Sequence, residues 1–210
     1  MTDARQPDDE IIPHADDLGH RYLERMVLLS DGVFAIAITL SALEIRPDHI
    51  PGQTLWQAWS LPLLVYAIAF VLVGWAWIEH RHVMARLARI DRTGTALNLA
   101  FLAFIALLPI AVRALLESPD RDAPIYIGTT LAAYFLLALL WAHATLVGGL
   151  APQVGRGFAR AWLLKLLSLS ILLGAAFAYM SQLKWIALLL AAIGAGTRWW
   201  SYRSLRRHAP

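Results

Sequence analysis

Residues 22–45, YLERMVLLSDGVFAIAITLSALEI, form an apolar stretch that is long enough to cross a bilayer as a helix. At about 1.5 Å per residue, Asp31 lies roughly 14 Å from the start of that helix. A carboxylate at that depth costs about 2.5–3.5 kcal/mol, so we expect Asp31 to face protein or water and never lipid. Ile36, Leu40 and Leu43 follow at helical spacing, which places three bulky apolar side chains on one stripe.

The same stretch is also rich in small residues, which allow helices to approach closely in a membrane. They are Gly32, Ala35, Ala37, Thr39, Ser41 and Ala42. A helix that faces only lipid does not usually need both a bulky stripe and small neighbours. A helix that meets copies of itself around an axis would use both.

The composition of the whole chain indicates an all-α integral membrane protein. Of its 210 residues, 59% are hydrophobic and 16% are charged, which is too apolar for an ordinary soluble domain or a soluble all-helical core. Four uncharged runs have the length of spanning helices; they are 61–78, 96–112, 123–155 and 166–183. The chain has no cysteine, which excludes disulfides and thiolate metal sites. The net charge of +3 does not indicate a nucleic-acid partner, because the basic residues lie at predicted membrane edges.

Six transmembrane helices are predicted. They cover about 22–45, 56–80, 95–115, 125–147, 159–181 and 184–203, with loops or turns at 46–53, 117–124 and 148–157. The sixth has only 13 uncharged residues, so it can cross only if Arg198 snorkels and nearby aromatic side chains anchor it. Residues 1–20 are predicted to be a disordered acidic cytoplasmic tail, 21–206 the membrane domain and 207–210 a C-terminal tail.

The basic residues predict the orientation in the membrane. If both termini are cytoplasmic, 14 of the 18 Lys and Arg residues lie on the cytoplasmic side and 4 lie outside. The reverse orientation violates the positive-inside bias. We therefore expect a multi-pass protein of the cell membrane with both termini in the cytoplasm.

Polar residues inside the first three helices predict a network between them. Arg25 and Asp31 are six positions apart, about 240° around a helix, so they cannot pair with each other. Partners are available on the next two helices, with Glu79 near Arg25. The predicted network consists of Arg25, Ser30, Asp31, His80 and Asn98. Two interpretations stay open: the network joins the helices, or it takes a direct part in proton relay or ion binding.

The stripe of Ile36, Leu40 and Leu43 also has two interpretations. It is either an ordinary packing stripe or a pore wall that narrows to apolar rings and gates by dewetting. In the second case Thr39 is the polar group best placed to touch a passing ion. The chain has no TVGYG-like loop, so a carbonyl filter of the usual potassium-channel type is not supported.

Several motifs resemble one family. Arg25-Met-Val-Leu-Leu-Ser30-Asp31 is similar to the first-helix signature, Arg-x-x-x-Phe-Ser-Asp, of the transmembrane protein 175 family of potassium channels, and its bacterial members are the nearer match. The other similar stretches are Trp75-x-x-x-x-His80, Asn98-Leu-Ala-Phe-Leu and Ala106-Leu-Leu-Pro109. The resemblance covers about residues 21–115, and the last three helices match by number and hydropathy. Leu29 stands where the family has Phe, which reduces the aromatic packing behind Ser30 and Asp31.

The resemblance implies a homotetramer of six-helix subunits in a bacterial inner membrane, with the first helix of each subunit lining a central pore. It implies that Ile36 forms the apolar constriction, that Leu40 and Leu43 form the next layers, and that Thr39 is the polar position between them. It further implies a potassium-permeable channel whose partners are the lipid bilayer and monovalent cations, with K⁺ as the permeant ion and no cofactor. The Arg–Ser–Asp motif would hold the helices rather than contact the ion.

Other functional classes fit the sequence less well. A proton-coupled secondary transporter would use Asp31 and His80 as a relay, but helices four to six contain no convincing repeat of the Ser-Asp stretch. A non-conducting membrane scaffold is a further alternative. An enzyme is not expected, because no nucleophile–base pair or metal cluster stands out and the histidines are scattered. His143 in the fourth helix is interpreted as an interhelical hydrogen-bonding residue.

Overall fold

The computed structural model describes residues 15–43, 45 and 52–208, and this part of the chain is helical apart from short connections. The six helices are α1 (Ala15–Leu43), α2 (Leu55–Met84), α3 (Arg92–Glu117), α4 (Pro119–Ala142), α5 (Arg156–Met180) and α6 (Lys184–His208). A π-helical turn, His143–Val147, extends α4. The predicted number and order of helices are therefore confirmed.

Several predicted boundaries were wrong. Helix α1 begins at Ala15, so the last six residues of the predicted 1–20 tail are helical, while residues 1–14 lie outside the described residues. The predicted turn at 117–124 shrinks to Ser118, because α4 already begins at Pro119. Proline suits the first helical position, where its missing N–H costs no intrahelical hydrogen bond. At the other end of the chain, α6 continues into the predicted 207–210 tail as far as His208.

Five of the described helices are long and apolar enough to cross a membrane. These are α1 to α5, and α6 is not among them. Its apolar run is short, since Arg198, Arg203 and Arg206 interrupt its second half. The crossing of the membrane by α6 stays a prediction.

The helices pack mainly in chain order. α1 contacts α2 and α3, α3 contacts α4, α4 contacts α5, and α5 contacts α6. Two loops at one end of the bundle are joined by the Ala88 N–H, which donates to the Leu150 carbonyl at 2.8 Å. The largest side chain buried in the core, Trp141, donates its indole N–H to the Ala159 carbonyl at 2.9 Å and so ties α4 to α5.

Hydrogen bonds at the helix starts explain where α2 and α3 begin. The Thr54 hydroxyl accepts from the Gln57 N–H at 3.4 Å, and the Gln57 side chain accepts from the Thr54 N–H at 2.9 Å. This reciprocal pair satisfies two amide donors that the first turn of a helix leaves free. At α3, an Asp91 oxygen accepts from the Gly94 N–H at 2.7 Å. The N-terminus of α3, which follows the charged 79–92 segment, is therefore fixed by its own carboxylate cap.

Candidate pore-lining face and polar network

Helix α1 has one face packed against other helices of the same chain and one face without a covering element among the described residues. The packed face contains buried side chains at helical spacing, which are Ser30, Phe34, Ala37 and Ser41. On the other face Ile36, Leu40 and Leu43 are 59%, 44% and 70% exposed. The stripe of Ile36, Leu40 and Leu43 is therefore not covered by the described residues of its own chain.

Thr39 lies on the same uncovered face. Its hydroxyl donates within its own helix, with the Ala35 and Ile36 carbonyl oxygens both at 3.0 Å. This bond occupies the hydroxyl proton and leaves the lone pairs of the Thr39 oxygen free to face outward. The exposed side of α1 thus offers a polar oxygen acceptor between apolar layers.

Three residues of the predicted network form one chain of hydrogen bonds. The Ser30 hydroxyl donates to the Met26 carbonyl at 2.7 Å, and the Asn98 side-chain N–H donates to Ser30 Oγ at 3.2 Å. His80 Nε2 lies 2.8 Å from Asn98 Oδ1. Because that amide oxygen can only accept, the geometry assigns the proton to His80 Nε2. Ser30, His80 and Asn98 are all buried, so these hydrogen bonds join α1, α2 and α3 within the helix bundle.

Asp31 lies beside this chain and has a different partner. Its half-buried carboxylate accepts from the Trp77 indole N–H at 2.7 Å. Trp77 was not among the predicted partners of Asp31, because no local spacing relates two residues 46 positions apart. Since Asp31 binds Trp77 and His80 binds Asn98, the structure shows no Asp31–His80 hydrogen bond of the kind a relay would use.

Arg25 stands apart from the other four residues of the predicted network. Its side chain is exposed, and no ion pair or hydrogen bond joins it to another described side chain. Arg25 precedes Ile36 by eleven residues, which is about 20° of rotation on a helix. It therefore lies on the uncovered face of α1. The partner expected for it, Glu79, pairs with Lys165 instead.

Leu29, which stands where the family motif has Phe, also lies on the uncovered face of α1. Leu29 is 49% exposed, so it does not pack behind Ser30 within its own chain. Aromatic packing against the network comes from elsewhere. The His80 ring stacks on Phe101 with centroids 5.3 Å apart, and Phe34 lies at 5.6 Å from the same imidazole.

Two side-chain pairs that the sequence did not predict each include an acidic residue. Lys165 donates to a Glu79 oxygen at 2.5 Å, and the two side chains are only 17% and 3% exposed. This pair connects α2 to α5, which are far apart in sequence, so no local spacing could indicate it. His143 lies 2.9 Å from an Asp91 oxygen and so joins the π-helical turn to the start of α3. That contact fits the interpretation of His143 as an interhelical hydrogen-bonding residue.

The pKa of Asp91 is lower than its ordinary value. Burial acts to raise the pKa of Asp91, but the hydrogen bonds from the Gly94 N–H and His143 outweigh burial and hold the pKa below its ordinary value. The carboxylate is therefore stabilised in its charged form at the loop between α2 and α3.

The fold and its uncovered helix face define a multi-span membrane protein, and comparisons with known proteins identify the family. The family described as endosomal/lysosomal potassium channel TMEM175 matches residues 25–109. A protein named as a potassium channel from Streptomyces collinus is 33% identical over 65% of this chain and 72% of its own length. A second, from Chamaesiphon minutus, is 31% identical over 61% of this chain and 69% of its own length.

A solved structure agrees with these relatives. The crystal structure of a lysosomal potassium-selective channel TMEM175 homolog from Chamaesiphon minutus superposes with a TM-score of 0.68 and 25% identity, covering 88% of this chain and 98% of that one. The chain belongs to the TMEM175 family. This is a family of ion channels and not of enzymes, as the sequence indicated, and the transporter alternative is not favoured.

Proposed function

We propose that four copies of this chain form a potassium-permeable cation channel in the bacterial inner membrane. Both termini would lie in the cytoplasm, and α1 of each copy would line a central pore. The observation that carries the proposal is the uncovered face of α1, on which Ile36, Leu40 and Leu43 are exposed beside Thr39. The relatives named as potassium channels support the choice of ion.

The constriction would act through the absence of polar groups. Four Ile36 side chains around an axis offer a cation neither charge nor dipole, so an ion can pass only if the ring is wide enough to keep part of its hydration shell. Potassium is hydrated less strongly than sodium, so a wall that removes some water favours potassium. The Thr39 oxygen, one turn further along α1, would supply an acceptor to the partly dehydrated ion.

The polar network would have a different task. Ser30, His80 and Asn98 are buried between α1, α2 and α3, behind the face that we assign to the pore. Asp31 is tied to α2 by Trp77. We therefore assign these residues to holding α1 in place, and we assign exposed Arg25 to a contact with a neighbouring subunit on the same face.

Replacing Ile36 with Asn tests the constriction. A polar ring lowers the cost of wetting the narrowest point, so single-channel conductance should rise and the preference for potassium over sodium should fall. Both quantities are measured in planar bilayers with purified protein under bi-ionic conditions.

The matched control is Ile186→Asn. Ile186 is an exposed isoleucine on α6, which packs against α5 and has no contact with α1 among the described residues. The control should conduct like the wild type. Unchanged conductance and selectivity in Ile36→Asn would contradict the assignment of Ile36 to the constriction.

A further inference from the structure

A cavity of about 380 Å³ lies between α2, α5 and α6, and we call it the α6 cavity. Its walls combine aromatic, basic and apolar side chains. The lining residues are Trp75, Lys165, Ser201, Tyr202, Leu205 and Arg206. Because the α6 backbone lies close to α5 and not to α2 in the described structure, the cavity occupies the space between α6 and α2.

The α6 cavity carries net positive charge. Lys165 is already paired with Glu79, so those two charges cancel. Arg206 is exposed at the cavity wall, and none of the described residues that line the cavity is acidic. The Arg198 guanidinium lies 5.3 Å from the ring centre of Tyr202, which adds a second positive charge at the rim. The chemistry of the site therefore favours an anion.

The remaining lining residues indicate that this anion is part of an amphiphile. Trp75 and Tyr202 are exposed, and such rings settle at the level of lipid headgroups. The Arg206 N–H groups and the Tyr202 O–H can both donate to a phosphodiester. Leu205 and the exposed apolar side chains of α2 beside Trp75 provide a surface for acyl chains. A small soluble anion would make no use of this apolar part.

We propose that the α6 cavity binds the headgroup of an anionic phospholipid. The positive-inside bias predicts that the basic second half of α6 faces the cytoplasmic leaflet, where anionic headgroups attract basic side chains. A lipid bound there would fill the space between α2 and α6. Its acyl chains would also add apolar contacts to α6, which is not among the five described helices apolar enough to cross a membrane.

Lipid retention by purified protein tests the proposal. Full-length protein in detergent is incubated with phosphatidylglycerol or phosphatidylcholine, and bound lipid is counted by native mass spectrometry. The wild type should retain phosphatidylglycerol preferentially. Arg206→Gln should weaken that retention about fivefold, the effect of one basic side chain near anionic lipid. Tyr202→Phe, which keeps the ring and removes the donor, should weaken it by a smaller factor.

The control is Arg156→Gln, which makes the same charge change at an exposed position at the start of α5, outside the cavity lining. It should retain lipid like the wild type. The proposal is overturned if the two lipids are retained equally, or if Arg156→Gln and Arg206→Gln weaken retention to the same extent. It is also overturned if soluble glycerol phosphate displaces the lipid at equal concentration, since the site would then recognise a free anion. If assembled protein loses bound lipid, and contacts between copies protect Tyr202, the cavity is occupied by a neighbouring copy and the proposal is overturned.

Discussion

At the scale of single residues, the side-chain amide of Asn98 is the centre of the buried network. It donates to Ser30 and accepts from His80, and so connects three helices through one side chain. A buried polar group that loses its partner keeps its desolvation cost without compensation. The network is therefore expected to contribute to stability only while it is complete.

Replacing Asn98 with Ala tests this role. The change leaves the His80 N–H without an acceptor and Ser30 Oγ without its Asn98 donor, while the Ser30 hydroxyl keeps its bond to the Met26 carbonyl. It should lower the free energy of unfolding by about 1–3 kcal/mol. Unfolding in mixed micelles, followed by tryptophan fluorescence, measures it. The control is Thr129→Ala, because the Thr129 hydroxyl bonds to the Ile125 carbonyl of its own helix; it should change stability by less than about 0.5 kcal/mol. A variant of full stability but altered ion selectivity would show that the network contacts the ion.

At the scale of helices, the Glu79–Lys165 pair joins α2 to α5, which also touch through the His82 and Trp162 rings with centroids 5.6 Å apart. Lys165 also lies over the Trp162 ring, with 4.2 Å between its Nζ and the ring centre. Burial of two charges is costly, and the pair is tolerated because each partner compensates the other.

Removing one side chain of the Glu79–Lys165 pair should therefore lower the free energy of unfolding more than removing both. Lys165→Met leaves the Glu79 carboxylate buried and uncompensated, and should lower the free energy of unfolding by about 3–5 kcal/mol. The double variant Glu79→Leu/Lys165→Met should recover most of that loss. The same micelle unfolding assay compares the three proteins. Equal stability of the single and double variants would contradict a compensated pair.

The Asp91–His143 contact predicts an acid dependence of the α3 start. Because the pKa of folded Asp91 lies below its ordinary value of about 4, its contribution to stability is present above that pH and is lost as the pH falls through the folded pKa. Asp91→Asn should melt below the wild type at pH 7. Its melting temperature should also fall less than that of the wild type between pH 7 and pH 3. Parallel acid curves for the two proteins would rule out this role.

At the scale of the whole molecule, the positions of the helices were easier to predict from the sequence than the contacts between them. Hydropathy and charge are local signals, so runs such as 61–78 are visible without the fold. Ser30, His80 and Asn98 were grouped because polar residues inside spanning helices need polar partners, and hydrogen bonds link the three in the structure. The Glu79–Lys165 pair lies 86 residues apart in sequence, and only the packed structure brings it together.

Local sequence patterns also do not show whether the first helix lines a pore. The spacing of Ile36, Leu40 and Leu43 fits a packing stripe and a pore wall equally well, because periodicity does not say what covers a helix face. The structure removes the first possibility within one subunit, since all three side chains are uncovered there. What covers them in the membrane is the central question of the proposal.

A single introduced thiol answers that question most directly. The chain has no cysteine, so Ile36→Cys carries the only reactive sulfur in the protein. If Ile36 lines a water-filled pore, a cationic methanethiosulfonate reagent should abolish potassium current through Ile36→Cys channels in planar bilayers and leave Ile186→Cys channels unaffected. Persistent current after treatment of Ile36→Cys, with the thiol unmodified by mass spectrometry, would place this residue against lipid and contradict the pore.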